Sequence, residues 1–285
     1  MPVRALLLVA LLSGLSAPAS QAQQRIASIN LCTDLLLLEL VDTERIASLS
    51  FWAADPELSY LSDHTGGLHL NKSLAEQIVP RQPDLVLAGQ FSDIQLVGLL
   101  RQLGYRVEVL DVPLNLSGMR EHILAFGKLV GEEKRANALA DAIDRRLNQV
   151  TIRAQELKAA DGSPLAVVYG PQGVSPGEGT LMHDLLVMTG FRNLAAEAGI
   201  RSYGTLSLER LAMSQPDLLV IDDLSRNDNS IAHRALQHPV LEELFSFERV
   251  LTLPPALTAC VGPPAAEVAE VLLSRRLAIA RAARP

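Results

Sequence analysis

Ser73–Ala88 reads SLAEQIVPRQPDLVLA, and Ser207–Asp222 reads SLERLAMSQPDLLVID. In each, a glutamate, Glu76 or Glu209, stands seven residues before the proline of a Gln-Pro-Asp-Leu core, and an apolar run follows. Proline cannot continue a helix and pushes the residue before it toward extended backbone. Each passage therefore reads as a short helix, a stop at Pro83 or Pro216, and a strand. Ser73 is the expected cap of the first helix, with Glu76 three residues on at the capping-box position. One helix–turn–strand unit used twice in a chain of 285 residues predicts two lobes of similar build, with one unit in each.

Outward from these units, strands alternate with helices. RIASIN (Arg25–Asn30) is a strand and LCTDLLLLEL a helix; RIASLSF (Arg45–Phe51) is the next strand, leading into Trp52. Residues 53–71 are broken by Pro56, Gly66 and Gly67 and read as a polar loop. A helix over 93–103 and the strand RVEVLDV follow. Beyond residue 160 come PLAVVYG, a Gly-rich loop over Gly173–Gly179, a helix over Leu181–Thr189, the second unit, RVLTL and a last amphipathic helix from Ala265 to Ala282. Such alternation predicts parallel sheets covered on both faces. Between them, Ala136, Leu139, Ile143, Leu147, Val150, Ala154 and Leu157 fall at steps of three and four. That is one stripe of a long helix, with Gly131 a break near its start. The expected fold is α/β: two Rossmann-like lobes with parallel sheets, residues 23–114 and 161–285, joined by a single long backbone helix within 115–160.

Residues 1–22 read as a signal peptide, with Arg4, an apolar Ala5–Leu15 and the small-residue site Ser20-Gln21-Ala22. The apolar stretch is shorter than the roughly 20 residues of a spanning helix. No cysteine marks a lipid anchor, so a soluble periplasmic protein, cleaved near Ala22, is expected. A net charge of −7 without a Lys/Arg-rich run argues against nucleic acid. Cys32 and Cys260 are the only cysteines. In an exported chain they read as one disulfide or as two thiols facing a cargo.

The RIASIN and RIASLS strands, the paired Glu…PDLV units, the long helix and GTLMHDLLVMTGFRN (Gly179–Asn193), in this order, resemble the substrate-binding proteins of ABC importers for cobalamin and ferric siderophores. The resemblance covers essentially the whole chain after residue 22. It implies a monomer with no resident cofactor that takes a metal chelate between its lobes and performs no chemistry on it. It also implies that Glu76 and Glu209 dock onto arginines of a permease dimer, which works with its ATPase. Charge-assisted carboxylate–arginine contacts would set the register of that encounter.

The cleft is expected to be lined by loops after the strands. From the first lobe these are Leu31-Cys32-Thr33, Phe51-Trp52-Ala53 and Gln90-Phe91; from the second, Tyr169-Gly170, Gly173–Gly179, Ser225-Arg226 and Thr258–Gly262. Trp52, the sole tryptophan, offers a flat apolar contact. Arg226 suits an anionic chelate or an amide oxygen, while Tyr60, Tyr169 and Tyr203 divide between cleft and core roles. A Cys32–Cys260 disulfide would tether the lobes and restrict opening; free thiolates would instead select a soft metal. The pair is not a general feature of the family. A continuous backbone helix also implies small closure and a pre-formed cleft.

Two other readings stand beside this one. His64, His69 and His183 could assemble a Zn or Mn receptor site, although the long His/Asp-rich loop of such receptors is absent; His122, His233 and His238 read as surface or packing residues. An exported α/β hydrolase would need a nucleophile, and the sequence holds no GxSxG elbow. GPQGVSPGEG lacks the Gly-Lys-Ser/Thr end of a phosphate loop.

Overall fold

The computed structural model describes residues 24–222 and 245–282. The first lobe runs β1 (Ile26–Ser28), α1 (Leu31–Leu40), β2 (Ile46–Ser50), β3 (Leu70–Asn71), α2 (Ala75–Ile78), β4 (Leu85–Gly89), α3 (Ile94–Gln102) and β5 (Val107–Leu110). Two helices follow, α4 (Leu116–Val130) and α5 (Glu133–Asp161). The second lobe comprises β6 (Leu165–Tyr169), β7 (Val174–Pro176), α6 (Leu181–Met188), β8 (Arg192–Asn193), α7 (Leu194–Glu197), β9 (Tyr203–Thr205), α8 (Leu208–Ser214), β10 (Leu218–Asp222), β11 (Val250–Leu253), α9 (Pro255–Thr258) and α10 (Ala265–Ala282). The first sheet is parallel in the order β3-β2-β1-β4-β5, and the second is parallel in the order β11-β10-β6-β8, with β7 and β9 paired antiparallel beside it. Among the described residues no helix is long and apolar enough to cross a membrane.

The two Gln-Pro-Asp units perform the same task in the two sheets. Gln82 and Gln215 both adopt left-handed backbone, at φ 48° and 44°, and turn the chain into Pro83 and Pro216. Next, the Asp84 carboxylate accepts the Arg25 N–H at 2.7 Å while the Asp84 N–H donates to the Arg25 carbonyl at 2.8 Å. Asp217 repeats this on Leu165, at 2.8 and 2.7 Å. The aspartate thus grips both backbone groups at the entry of the central strand and fixes β4 against β1 and β10 against β6. Leu85 and Leu87 then face the core shared with the helices, while Val86 and Ala88 face a second cluster with Leu96 and Leu100. Both faces of the sheet are buried, as a parallel sheet requires.

The connection between lobes holds the expected long helix, α5, with α4 before it and Gly131 as the break between them. Gly131, at φ 75°, caps α4, and the Glu132 N–H closes back onto the Gly127 carbonyl at 2.7 Å. The chain reverses there, so α4 and α5 form an antiparallel hairpin, with Arg120 bonded to Asp141 and Asp144. Only α5 is long, at 29 residues, or about 44 Å at 1.5 Å per residue. Its stripe from Ala136 through Ile143, Leu147 and Val150 to Ala154 is buried as the periodicity implies.

The hairpin is tied to both lobes. Arg45, 7% exposed, reaches from the start of β2 to Glu132 Oε1 at 2.5 Å and to the Val130 carbonyl at 2.6 Å. Arg146 on α5 makes a bidentate pair with Glu270 on α10, both contacts at 2.8 Å, and the Leu116 N–H donates to Asp184 on α6 at 3.1 Å. One apolar core runs from Leu37 and Leu87 through Ile143 and Leu147 to Val168 and Leu272.

Close approach of α4 and α5 depends on Gly127, where an added Cβ would lie 2.2 Å from the Ala136 Cβ. Gly127→Ala is expected to destabilise the protein by about 1–3 kcal/mol through overpacking. Gly98 in α3 has nothing within 4 Å of such a Cβ, and Gly98→Ala is expected to be neutral or to stabilise by up to about 1 kcal/mol. Denaturant midpoints of the two variants check this contrast.

Candidate ligand-binding cleft

In the first sheet the strand order reverses between β1 and β4, the position where open α/β sheets bind ligands beyond their carboxyl ends. A cavity of about 540 Å³ opens there. Its floor comes from Asn30 after β1, Trp52 after β2, Ser73 after β3, Gln90 and Phe91 after β4, and Asp111 after β5. Asn30 caps α1, its Oδ1 accepting the Cys32 N–H at 3.0 Å and the Thr33 N–H at 3.4 Å. Gly89 lets Asn30 sit there, because a Cβ at residue 89 would lie 2.7 Å from the Asn30 amide nitrogen.

The aromatic wall rests on a buried carboxyl group. Phe51 and Trp52 pack with ring centroids 4.1 Å apart, each 37% exposed, and Phe91 is 81% exposed. Ser50, the residue before this pair, is held by Asp34 of α1, whose Oδ1 accepts the Ser50 N–H at 3.0 Å and whose Oδ2 shares a hydrogen bond with the Ser50 hydroxyl. Complete burial pushes the Asp34 carboxyl up to about 7, against the pull of its hydrogen bonds with Ser28 and Ser50. At neutral pH the group is poised between acid and carboxylate.

The second lobe supplies Ala259, Cys260 and Val261 to the wall, and Cys260 is joined to Cys32 in a disulfide. The bond runs from the first turn of α1 to the segment between α9 and α10, linking the lobes beside the cavity. Ser225 and Arg226, like His233, His238 and the signal segment, lie outside the described residues.

Several expected lining residues are placed elsewhere. Tyr169 is buried with Leu165 and Val167 in the cluster that includes Leu211 and Leu219. Alternation along β6 sends its ring to that face, away from the cavity. The Gly170 N–H bonds the Val174 carbonyl at 2.8 Å, and the Gly-rich loop forms β7 against β9. Ala53 is core. The Tyr60 hydroxyl donates to Glu39 at 3.1 Å, with burial and that carboxylate raising its pKa, and Tyr203 is an exposed residue of β9.

The histidines of the ion-receptor reading are not brought together. His64 is exposed, His69 Nδ1 lies 2.8 Å from an Arg81 nitrogen, and His183 sits by Asn193 in a separate hollow of about 400 Å³. Among the described residues no three His, Cys, Asp or Glu side chains are placed to hold a metal ion. His122, read from sequence as a surface or packing residue, instead lines the cavity. Its signal was available in the helical period: it is three residues after Met119 and four before Phe126, both buried on the inner face of α4.

Glu76 and Glu209 are exposed, each at the second position of its helix, α2 or α8. Ser207 caps α8, accepting the Arg210 N–H at 3.2 Å. Its own backbone amide and the Ser207 hydroxyl hold the Glu209 carboxyl below the ordinary carboxylate range. Ser73 does not cap α2 as expected. Asn71 Oδ1 accepts its N–H at 3.0 Å and turns it to φ 55°, and Leu74 takes the cap position.

The sequence profile of the periplasmic binding protein family matches residues 26–245. The chain belongs to this family. A cobalamin-binding protein of Halobacterium salinarum is 25% identical over 199 residues, 69% of this chain and 53% of the relative. The chain thus spans about half the length of the curated relatives it matches. Its fold is shared with a periplasmic heme-binding protein of Pseudomonas aeruginosa, at TM-score 0.69 and 23% identity over 92% of this chain and 94% of the other. It is also shared with a periplasmic vitamin B12-binding protein of Vibrio cholerae, at TM-score 0.61 and 15% identity over 90% and 97%.

Two expectations follow for this binding protein. Unfolded, Asp34 titrates near 4, and folded near 7. Between those values only the folded chain holds the proton, so this group's contribution is full below about pH 4 and is lost as pH rises through 7. Asp34→Asn mimics the protonated form, and its stability advantage over wild type is expected to grow by about 2–4 kcal/mol from pH 4 to pH 8, read as paired urea midpoints. Replacing both Cys32 and Cys260 by Ser is expected to cost about 2–4 kcal/mol, and dithiothreitol should then shift the melting of wild type but not of the variant.

Proposed function

We propose that this chain is the periplasmic substrate-binding component of an ABC importer. It captures a metal chelate, such as cobalamin, a ferric siderophore or a related tetrapyrrole, and delivers it to a membrane permease. The observation that carries this reading is the cavity of about 540 Å³ at the strand-order reversal, with Trp52, Phe91 and Gln90 on one lobe and Ala259–Val261 on the other. Apolar and aromatic walls with a few convergent polar groups suit a large ligand of mixed character. Capture and release, without chemistry on the cargo, agrees with membership of a binding-protein family and leaves the hydrolase reading without support.

Glu76 and Glu209 act as paired anionic contacts for arginines of the permease. Their exposure and equivalent helical positions favour this role, because neither is consumed in packing. Charge-assisted pairs of this kind set partner choice and encounter rate more than raw affinity.

Titrating the purified mature protein with cobalamin, hemin and ferric siderophores, with absorption by the ligands corrected, tests the capture reading. Trp52, as the single tryptophan, should be quenched saturably by one chelate at micromolar concentration or below. A response to free Zn or Mn alone would contradict the reading. For the permease contact, Glu76→Ala with Glu209→Ala is expected to leave cargo affinity unchanged and to abolish uptake in cells. Loss of affinity would instead return both residues to the binding site.

A further inference from the structure

The Cys32–Cys260 disulfide stands in the cavity wall itself, with both residues among those that line the space and both only half-buried. Its two ends are held differently. Cys32 lies in the first turn of α1, a helix anchored in the core through Leu36, Leu37 and Leu40. Cys260 lies in residues 259–264, which belong to no helix or strand. Among the described residues no backbone–backbone hydrogen bond joins that segment to the first lobe. The covalent bond is therefore what pins the Ala259–Val261 wall against the start of α1. The lobes as wholes have other ties: Arg45 to Glu132, Arg146 to Glu270, and the shared apolar core. Breaking the disulfide frees one wall of the cleft and leaves the fold standing.

Resting on the chelate-capture reading, we propose that the Cys32–Cys260 pair is a redox latch on the cleft, in which the disulfide holds cargo and the dithiol releases it. The co-reactant is a dithiol in the same compartment. One of its thiolates attacks the Cys260 sulfur, the S–S bond breaks, and Cys32 leaves as a thiolate at the N-terminal turn of α1, where negative charge is stabilised. The second sulfur of the incoming dithiol then attacks the mixed disulfide and releases Cys260. The co-reactant departs as its own disulfide, two electrons pass to the cysteine pair, and the two protons it gives up complete the new thiols. Oxidation is the same exchange in reverse, with an incoming disulfide as acceptor. A bond partly exposed at a cavity, and not sealed in a core, is open to such exchange. Once the wall is free, cargo must order it on binding, so affinity falls. Linkage makes the effect reciprocal: the factor that separates the two affinities also displaces the redox equilibrium when cargo is bound.

The test uses residues 23–285 and three probes that thiols do not reduce: cyanocobalamin, gallium(III) protoporphyrin and a gallium(III) trihydroxamate. Calorimetry compares oxidised wild type with Cys32→Ser combined with Cys260→Ser, and circular dichroism checks that the variant is folded. The variant is expected to bind the chelate that wild type takes at least fivefold more weakly, with faster dissociation. Separately, wild type is equilibrated in dithiothreitol redox buffers with and without that chelate, and its thiols are counted by mass after alkylation. Saturating chelate should raise the disulfide-to-dithiol ratio by the same factor, a readout that stands even if the variant does not fold. Equal affinities in the two states, or a ratio that chelate leaves unmoved, would overturn the latch while capture survives. Reduction that occurs only with unfolding would overturn it as well. Binding of no probe by either state would instead defeat the capture reading, and the latch with it.

Discussion

The grip of an aspartate on the backbone of the neighbouring strand decides where everything else goes. The Asp84 carboxylate on the Arg25 N–H, and Asp217 on the Leu165 N–H, are charge-assisted bonds at 2.7 and 2.8 Å. Each fixes the strand that leaves the Gln-Pro-Asp turn against the first strand of its own sheet. In the first lobe this pairing creates the reversal of strand order, and the reversal leaves Asn30 and Gln90 diverging from adjacent strand ends. The cavity is the space between them. A shift of one residue in that register would invert the alternation of β4 and turn Leu85 and Leu87 out of the core.

The cleft is held from two sides. On one, the α4–α5 hairpin is bonded to the first lobe through Arg45 and Glu132 and to the second through Arg146 and Glu270. The first pair is nearly enclosed, where one charge left without its partner would be costly; the second is half exposed and contributes little on its own. On the other side the Cys32–Cys260 disulfide closes the cavity wall. Two independent ties favour a cleft that exists before cargo arrives, so less ordering free energy opposes binding. Asp34 serves the same end locally: by holding Ser50 from beneath it sets the direction in which Phe51 and Trp52 leave β2.

Much of this was legible because it obeys short-range rules. The paired Gln-Pro-Asp turns, the alternation of strands and helices, and the stripe of α5 follow from proline geometry and from periods of two and 3.6 residues. The positions of Cys32, Trp52, Gln90, Phe91 and Cys260 at the cavity follow from strands ending where their loops begin. The failures share a different cause: side-chain direction set by contacts distant in sequence. Tyr169 was assigned to the cleft by its place at a strand end, yet the parity of β6 buries it against Leu211 and Leu219. Ser73 was displaced from its cap by Asn71, whose amide also bonds Ser28, Ser48 and Leu49. The break expected at Gly131 is a full reversal, because the residue takes left-handed backbone and folds α4 back along α5. For His122 the helical period gives the inner flank of α4, shared with Met119 and Phe126, but not that this flank meets the cavity at the end of β5.

The proposed capture of a chelate is tested most directly by a crystal structure of residues 23–285 with whichever of the tested chelates binds most tightly. Cargo should lie over Asn30 and Gln90, touching Trp52 on one lobe and Val261 on the other, with the Cys32–Cys260 bond intact. Cargo seated in the hollow beside His183, or outside the space between the lobes, would contradict it.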